Sequence, residues 1–229
     1  VFGLTARAQG GRAAERPELF RDTVKRGEIA GHFVHVDDGE FAESGEYWST
    51  ADDVRQTANL IAKSTSYDHL LIYAHGGLNS PLDAAKRIRA LKEPFKRNKI
   101  YPYSIMYDTG IVEEIKDLLL KAQQDARGRA GGFRDFLDSM IEDIARKPVT
   151  PLWEEMKRDA RIPFDEGADG ARALDMFSTA FAGSNMKIHL VGHSTGAVLL
   201  GHLLAALDRR VADAPIVASC TLLAPACSV

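Results

Sequence analysis

Two short runs hold the residue types that could do covalent chemistry. Gly192-His193-Ser194-Thr195-Gly196 sets a serine between Lys187 to Val191, an apolar, β-branched run suited to a buried strand, and Ala197 to Leu207, an Ala- and Leu-rich run broken only by Gly201. A serine on so sharp a strand-to-helix turn is held in a strained backbone conformation that lifts its Oγ above the sheet edge. It needs small neighbours two residues away on each side, which Gly192 and Gly196 supply. The chemistry this suits is nucleophilic attack by Ser194. The second run, His75-Gly76-Gly77-Leu78, closes another apolar stretch, Leu70 to Ala74, and precedes a helix with Ser80 as N-cap and Pro81 at its first position.

The elements that must position these runs read as one α/β domain. At 229 residues, 45% hydrophobic and 27% charged, the chain can bury a full core. A net charge of -3 with Lys and Arg scattered among acids gives no basic patch for nucleic acid. No stretch reaches the length of a membrane span and no secretory leader is visible, so a cytoplasmic location is the default expectation. Cys220 and Cys227 are too far apart along one strand to bridge and read as buried or free thiols. There is no P-loop, no G-x-G-x-x-G after a strand and no metal-ligand spacing, so neither cofactor nor metal is expected. Oligomeric state is not encoded in any feature of the sequence.

In chain order, residues 1–30 form a lead-in whose Ala6 to Arg16 stretch is small, basic and Gly-rich. His32 to Val36 alternates as a strand, and Asp37-Asp38-Gly39-Glu40 turns it back towards Phe41 as a hairpin. His32 and His35 point to opposite faces of that strand and cannot easily share an ion. Thr50 with Asp53 caps a helix buried along Val54, Ala58 and Ile61; the helix after Ser80 is expected to bury Ala84, Ile88, Leu91 and Phe95 and to kink or end at Pro94. A strand spans Tyr103 to Tyr107, followed by Asp108, a capping residue or a pocket-lining one. Residues 109–185 are longer than a simple crossover requires. Helices are read around Ile111 to Leu119, Phe133 to Ile144, Trp153 and Met156, and Leu174 to Phe181, either as crossover helices packed on the sheet or as a cap. Pro215 to Ala226 gives a last strand.

A strand ending in H-G-G before a helix, and a later strand ending in G-H-S-T-G, together resemble the α/β-hydrolase superfamily. The resemblance implies a mostly parallel sheet flanked by helices, with residues 31–108 and 186–229 as core and 109–185 as a helical crossover or cap insertion. It implies that the N–H of Thr195 and that of Gly77 or Leu78 form an oxyanion hole, where glycine lets the backbone approach a developing oxyanion. His75, Gly76, Gly192, His193 and Gly196 are then supports of the loop and elbow, and the substrate is a small acyl compound.

In that family the acid and the histidine follow the nucleophile in sequence. Downstream of Ser194 stand only His202, Asp208 and Asp213. His202 lies about 12 Å along the same helix and cannot reach the Ser194 hydroxyl. His193 adjoins the serine, but side chains of neighbouring residues on such a turn diverge. Three expectations stay open. The chain is a truncated piece of a longer serine hydrolase whose base and acid lie beyond Val229; or it is a catalytically inactive α/β-hydrolase-like binding module; or His75 or His35 donates the base.

Overall fold

The structure, a computed structural model, describes residues 23–77, 79–107, 149–209 and 217–226. Six strands form one sheet: β1 (Phe33–Asp37), β2 (Glu40–Phe41), β3 (His69–Ala74), β4 (Ile100–Tyr107), β5 (Lys187–His193) and β6 (Val217–Leu223), in the order β2-β1-β4-β3-β5-β6. Only the β1–β2 pair is antiparallel; all other neighbours are parallel. This is a mostly parallel sheet flanked by helices, the α/β class expected.

The β1–β2 hairpin turns through Asp38 and Gly39, both at positive φ, the conformation a two-residue Asp-Gly turn demands. The helices are α1 (Arg26–Ile29), α2 (Ala51–Lys63), α3 (Pro81–Lys96), α4 (Val149–Arg161), a 3₁₀ turn (Ile162–Phe164), α5 (Asp169–Phe181) and α6 (Gly196–Asp208). Thr50 caps α2 by accepting from the Asp53 N–H at 3.2 Å, while the Asp53 carboxylate accepts from the Thr50 N–H at 3.0 Å. Ser80 and Asp83 repeat the box at α3, with Pro81 at the first helical position.

Alternation divides β1 and β4 between two cores, whereas β3 and β5 bury one face only in the first. Val34, Val36, Leu70, Ile72, Tyr103, Ile105, Ile188 and Leu190 face α2, α5 and α6; Phe33 and Met106 face Ala84, Ala85 and Ile88 of α3, together with Val24 and Ile29. The 6–16 part of the lead-in lies outside the described residues, whereas Val24 and Ile29 at its end are fully buried. In the 109–185 stretch, Leu174, Phe177 and Phe181 pack into the sheet core, with Phe177 edge-on to Tyr103 at 5.0 Å. α5 is therefore a crossover helix on the sheet. The helices read around Ile111 to Leu119 and Phe133 to Ile144, and Asp108, lie outside the described residues, as does any cap they would form.

Three expectations need correction. Ala84 and Ile88 are buried as expected, but Leu91 is 42% exposed and Phe95 only half-buried, and the buried stripe of α3 is completed by Ala85 and Arg89 instead. Pro94 falls inside the last turn of α3, and the helix runs on two residues past it to Lys96 before it ends. β4 begins at Ile100 and runs through Pro102, although proline is rare in a central strand. Pro102 lies ahead of the β1 ladder, which starts at Phe33 opposite Ser104, and the Pro102 carbonyl accepts from His32 Nδ1 at 2.8 Å instead. Its missing N–H therefore forfeits no ladder bond. Cys220 is a free, exposed thiol, and Cys227 lies outside the described residues.

Candidate active site

β3 and β5 are adjacent and parallel, with Ala74 opposite Gly192, so the two chemistry-bearing runs emerge side by side at the carboxyl ends of the strands. Ser194 has φ +52°, a left-handed conformation that costs a non-glycine residue roughly 1–2 kcal/mol. Bonds on both sides hold it there. Its N–H donates to the Leu223 carbonyl at 2.9 Å, and its carbonyl accepts from Ala197 and Ala226 at 3.0 and 3.1 Å. The glycines are required by contact. A Cβ on Gly196 would stand 2.3 Å from the Ala74 carbonyl oxygen and 2.7 Å from that of His75; one on Gly192 would stand 2.9 Å from the Gly196 oxygen.

Gly76 brings the other run against the serine. A Cβ there would lie 3.2 Å from Ser194 Cβ and 2.9 Å from His193 Nδ1. The His75 ring does not face the nucleophile as a base. Its Nδ1 is 2.9 Å from the Gly76 carbonyl, to which it donates, and its Nε2 accepts from the Tyr107 N–H at 3.4 Å. Both nitrogens are thereby used, and the ring stacks on Tyr107 with centroids 4.7 Å apart. His75 fixes the loop. His35 stands on β1, three strand spacings from β5, about 14 Å across the sheet. Its Nδ1 bonds the Tyr47 carbonyl at 3.0 Å. His202 is half-buried on α6, and burial, then Arg161, holds it below its ordinary pKa.

One site residue was not signalled by any motif. The Tyr107 hydroxyl donates to the His75 carbonyl at 2.8 Å and lies 3.1 Å from Thr195 Oγ1. With its single proton given to His75, it accepts from the Thr195 hydroxyl. Tyr107, Thr195 and His75 are each no more than 3% exposed, and burial pushes the Tyr107 phenol well above its ordinary pKa, so it stays a neutral donor. This bridge ties the H-G-G turn to the residue after Ser194. The Thr195 N–H itself has no hydrogen-bond partner among the described residues. Gly77, next in sequence to Gly76, is buried, and Leu78 lies outside the described residues.

The half-buried Ser194 has no partner for its hydroxyl among the described residues. The Nδ1 of the adjoining His193 is buried and likewise unpartnered. A buried apolar cavity lined by Val34, Ile72, Tyr103, Phe164, Phe177 and Leu203 lies on the α5 side of the sheet and includes none of these residues. At about 20 Å³ it has room for a water and not for an acyl chain. No described helix is long and apolar enough to cross a membrane. The chain matches no family model, no curated protein and no solved structure.

Proposed function

We propose that Ser194 is the nucleophile of an α/β-hydrolase-type serine hydrolase that cleaves a carboxylic ester or related acyl bond through an acyl-enzyme. One observation carries the reading: a non-glycine residue is held at φ +52° on the turn from β5 into α6, with glycines where any side chain would collide. Strain of this kind is retained where function needs an exposed hydroxyl. The Thr195 N–H, without a partner of its own, is placed by this reading to receive the oxyanion, with Gly77 or Leu78 giving the second donor. Attack forms the Ser194 Oγ–carbon bond and sends the serine proton to a histidine base; collapse of the tetrahedral species expels the alcohol, which takes that proton, and water then releases the acid. In this reading the base and its acid partner are supplied by residues beyond Val229.

The absence of a described partner for the Ser194 hydroxyl favours a second reading, a binding module that uses the same turn without turnover. A fluorophosphonate separates them. In the full-length protein, stoichiometric adduct on Ser194, abolished by Ser194→Ala, supports the hydrolase; a folded protein that takes up no label loses it.

A further inference from the structure

A second cluster lies away from the elbow, on the face of the sheet opposite α6. His69 of β3, His189 of β5 and Ser219 of β6 form a row across three parallel strands. His69 Nδ1 is 2.9 Å from His189 Nε2, with ring centroids 5.0 Å apart and planes inclined by 42°. His189 Nδ1 is 2.8 Å from Ser219 Oγ. An N···N contact this short holds one proton between two nitrogens, because two imidazolium rings would set N–H against N–H. The serine at the end of the row is no second nucleophile: it lies in the extended β5–β6 ladder, with no turn to present oxyanion donors.

We infer that His69 Nδ1 and His189 Nε2 form a two-nitrogen site for a divalent transition-metal ion of borderline softness, Zn²⁺ or Cu²⁺, which replaces the shared proton. Imidazole is the donor such ions take. Two metal–nitrogen bonds of about 2.0–2.1 Å at a right angle separate their nitrogens by about 2.9 Å, and at the tetrahedral angle by about 3.4 Å. The observed spacing matches the first once each ring turns its lone pair off the N···N axis towards the ion, and the second needs a further opening of about half an ångström. Ser219 completes the arrangement from behind. By accepting from His189 Nδ1–H it selects the tautomer whose lone pair is on Nε2, the outer-shell role that a ligating histidine commonly needs. On metal binding the His69 Nδ1 proton leaves to solvent and Nε2 takes one up, so that the ring binds as the neutral Nε2–H tautomer with no net loss of a proton.

Both histidines are half-buried and Ser219 is exposed, so an ion can enter and keep positions open for water or a ligand. No group of three His, Cys, Asp or Glu side chains suited to a metal occurs among the described residues, so the protein supplies two ligands here. The Lys187 ammonium on the same strand face opposes the ion's charge. Both features give a site weaker than a closed structural one.

The test is titration of the intact chain with ZnCl₂ against a chromophoric indicator. One equivalent binds, and the His69→Gln and His189→Gln variants each lower its affinity by at least about tenfold; Ser219→Ala lowers it by about 10- to 100-fold. A measurement on the unaltered chain runs beside it: zinc should shield His69 and His189 from diethylpyrocarbonate, mapped by mass spectrometry. The inference is overturned if the unaltered chain binds no equivalent, if the double variant binds zinc as tightly as its parent, or if saturating zinc leaves both rings reacting at the metal-free rate.

Discussion

Ser194, on the turn that ends β5, and Ser219, within the neighbouring β6, each stand next to a histidine, yet they divide the requirements of a nucleophile between them. Ser219 has the hydrogen bonds: its Oγ is 2.8 Å from His189, which is itself 2.9 Å from His69. Its backbone is an ordinary strand. Ser194 has the backbone: a left-handed φ, glycines at the contact points and an unengaged N–H on the next residue. Its hydroxyl has no described partner. Hydrogen-bond connectivity can arise wherever two strands bring polar residues into register, whereas a strained turn packed against a glycine loop must be specified by several residues at once. The backbone is the more discriminating signal, and it singles out Ser194.

Substitutions at the two serines should break this symmetry most visibly. With a fluorogenic short-chain ester and the full-length protein, Ser194→Ala should lower kcat by up to about 10⁶-fold, while Ser219→Ala should leave it within about twofold. Equal losses would remove the distinction. Tyr107→Phe comes next. Losing the hydroxyl that bridges His75 and Thr195 should lower kcat about tenfold with little change in KM and cost about 1–2 kcal/mol of stability in denaturant titration. A KM effect alone would mean that the bridge does not position the oxyanion donor.

Glycine scanning then reads the backbones directly. Ser194→Gly should be more stable than Ser194→Ala by about 1 kcal/mol, because glycine relieves the left-handed strain. At Ser219, in extended strand, the order should reverse by about 0.5–1 kcal/mol. Thermal melting of the four variants decides it; the same sign at both positions would contradict the strain at Ser194.

The smallest effect concerns pH. Burial first of all holds His32, His189 and His202 below the ordinary value of 6.5. The unfolded chain therefore takes up protons before the folded one, so their contribution is whole above about pH 6.5 and is lost as pH falls from there towards the folded-state values. Urea titrations between pH 7.5 and 5 should show stability declining, less steeply in His189→Gln.

The α/β class, the paired landmarks and the capping boxes were legible because each is written locally: Thr50 and Asp53, Ser80 and Asp83, or a glycine two residues either side of Ser194. Features that depend on strand register were not. Tyr107 meets His75 because β4 runs in register beside β3, with Ile105 opposite Ala74, and no local pattern encodes that offset. The His69–His189 contact needs the β3–β5 pairing in the same way. Leu91 follows Ala84 and Ile88 at helical spacing, yet the strip of sheet beneath α3 accepts Ala85 and the stem of Arg89 instead. Pro102 hid the start of β4 because a proline is costly only where a partner awaits its N–H, and that is settled by where β1 begins.

The bonds that join Ser194 to Leu223 and Ala226 also set an order of assembly. During synthesis the G-H-S-T-G segment leaves the ribosome before the strand whose end clasps it on both sides. Until β6 docks, nothing from that side compels Ser194 to keep its left-handed turn, and the segment is free to relax. A nascent chain halted before Leu223 would hold the motif without its geometry, so the left-handed turn at the serine is a late product of folding rather than an early one.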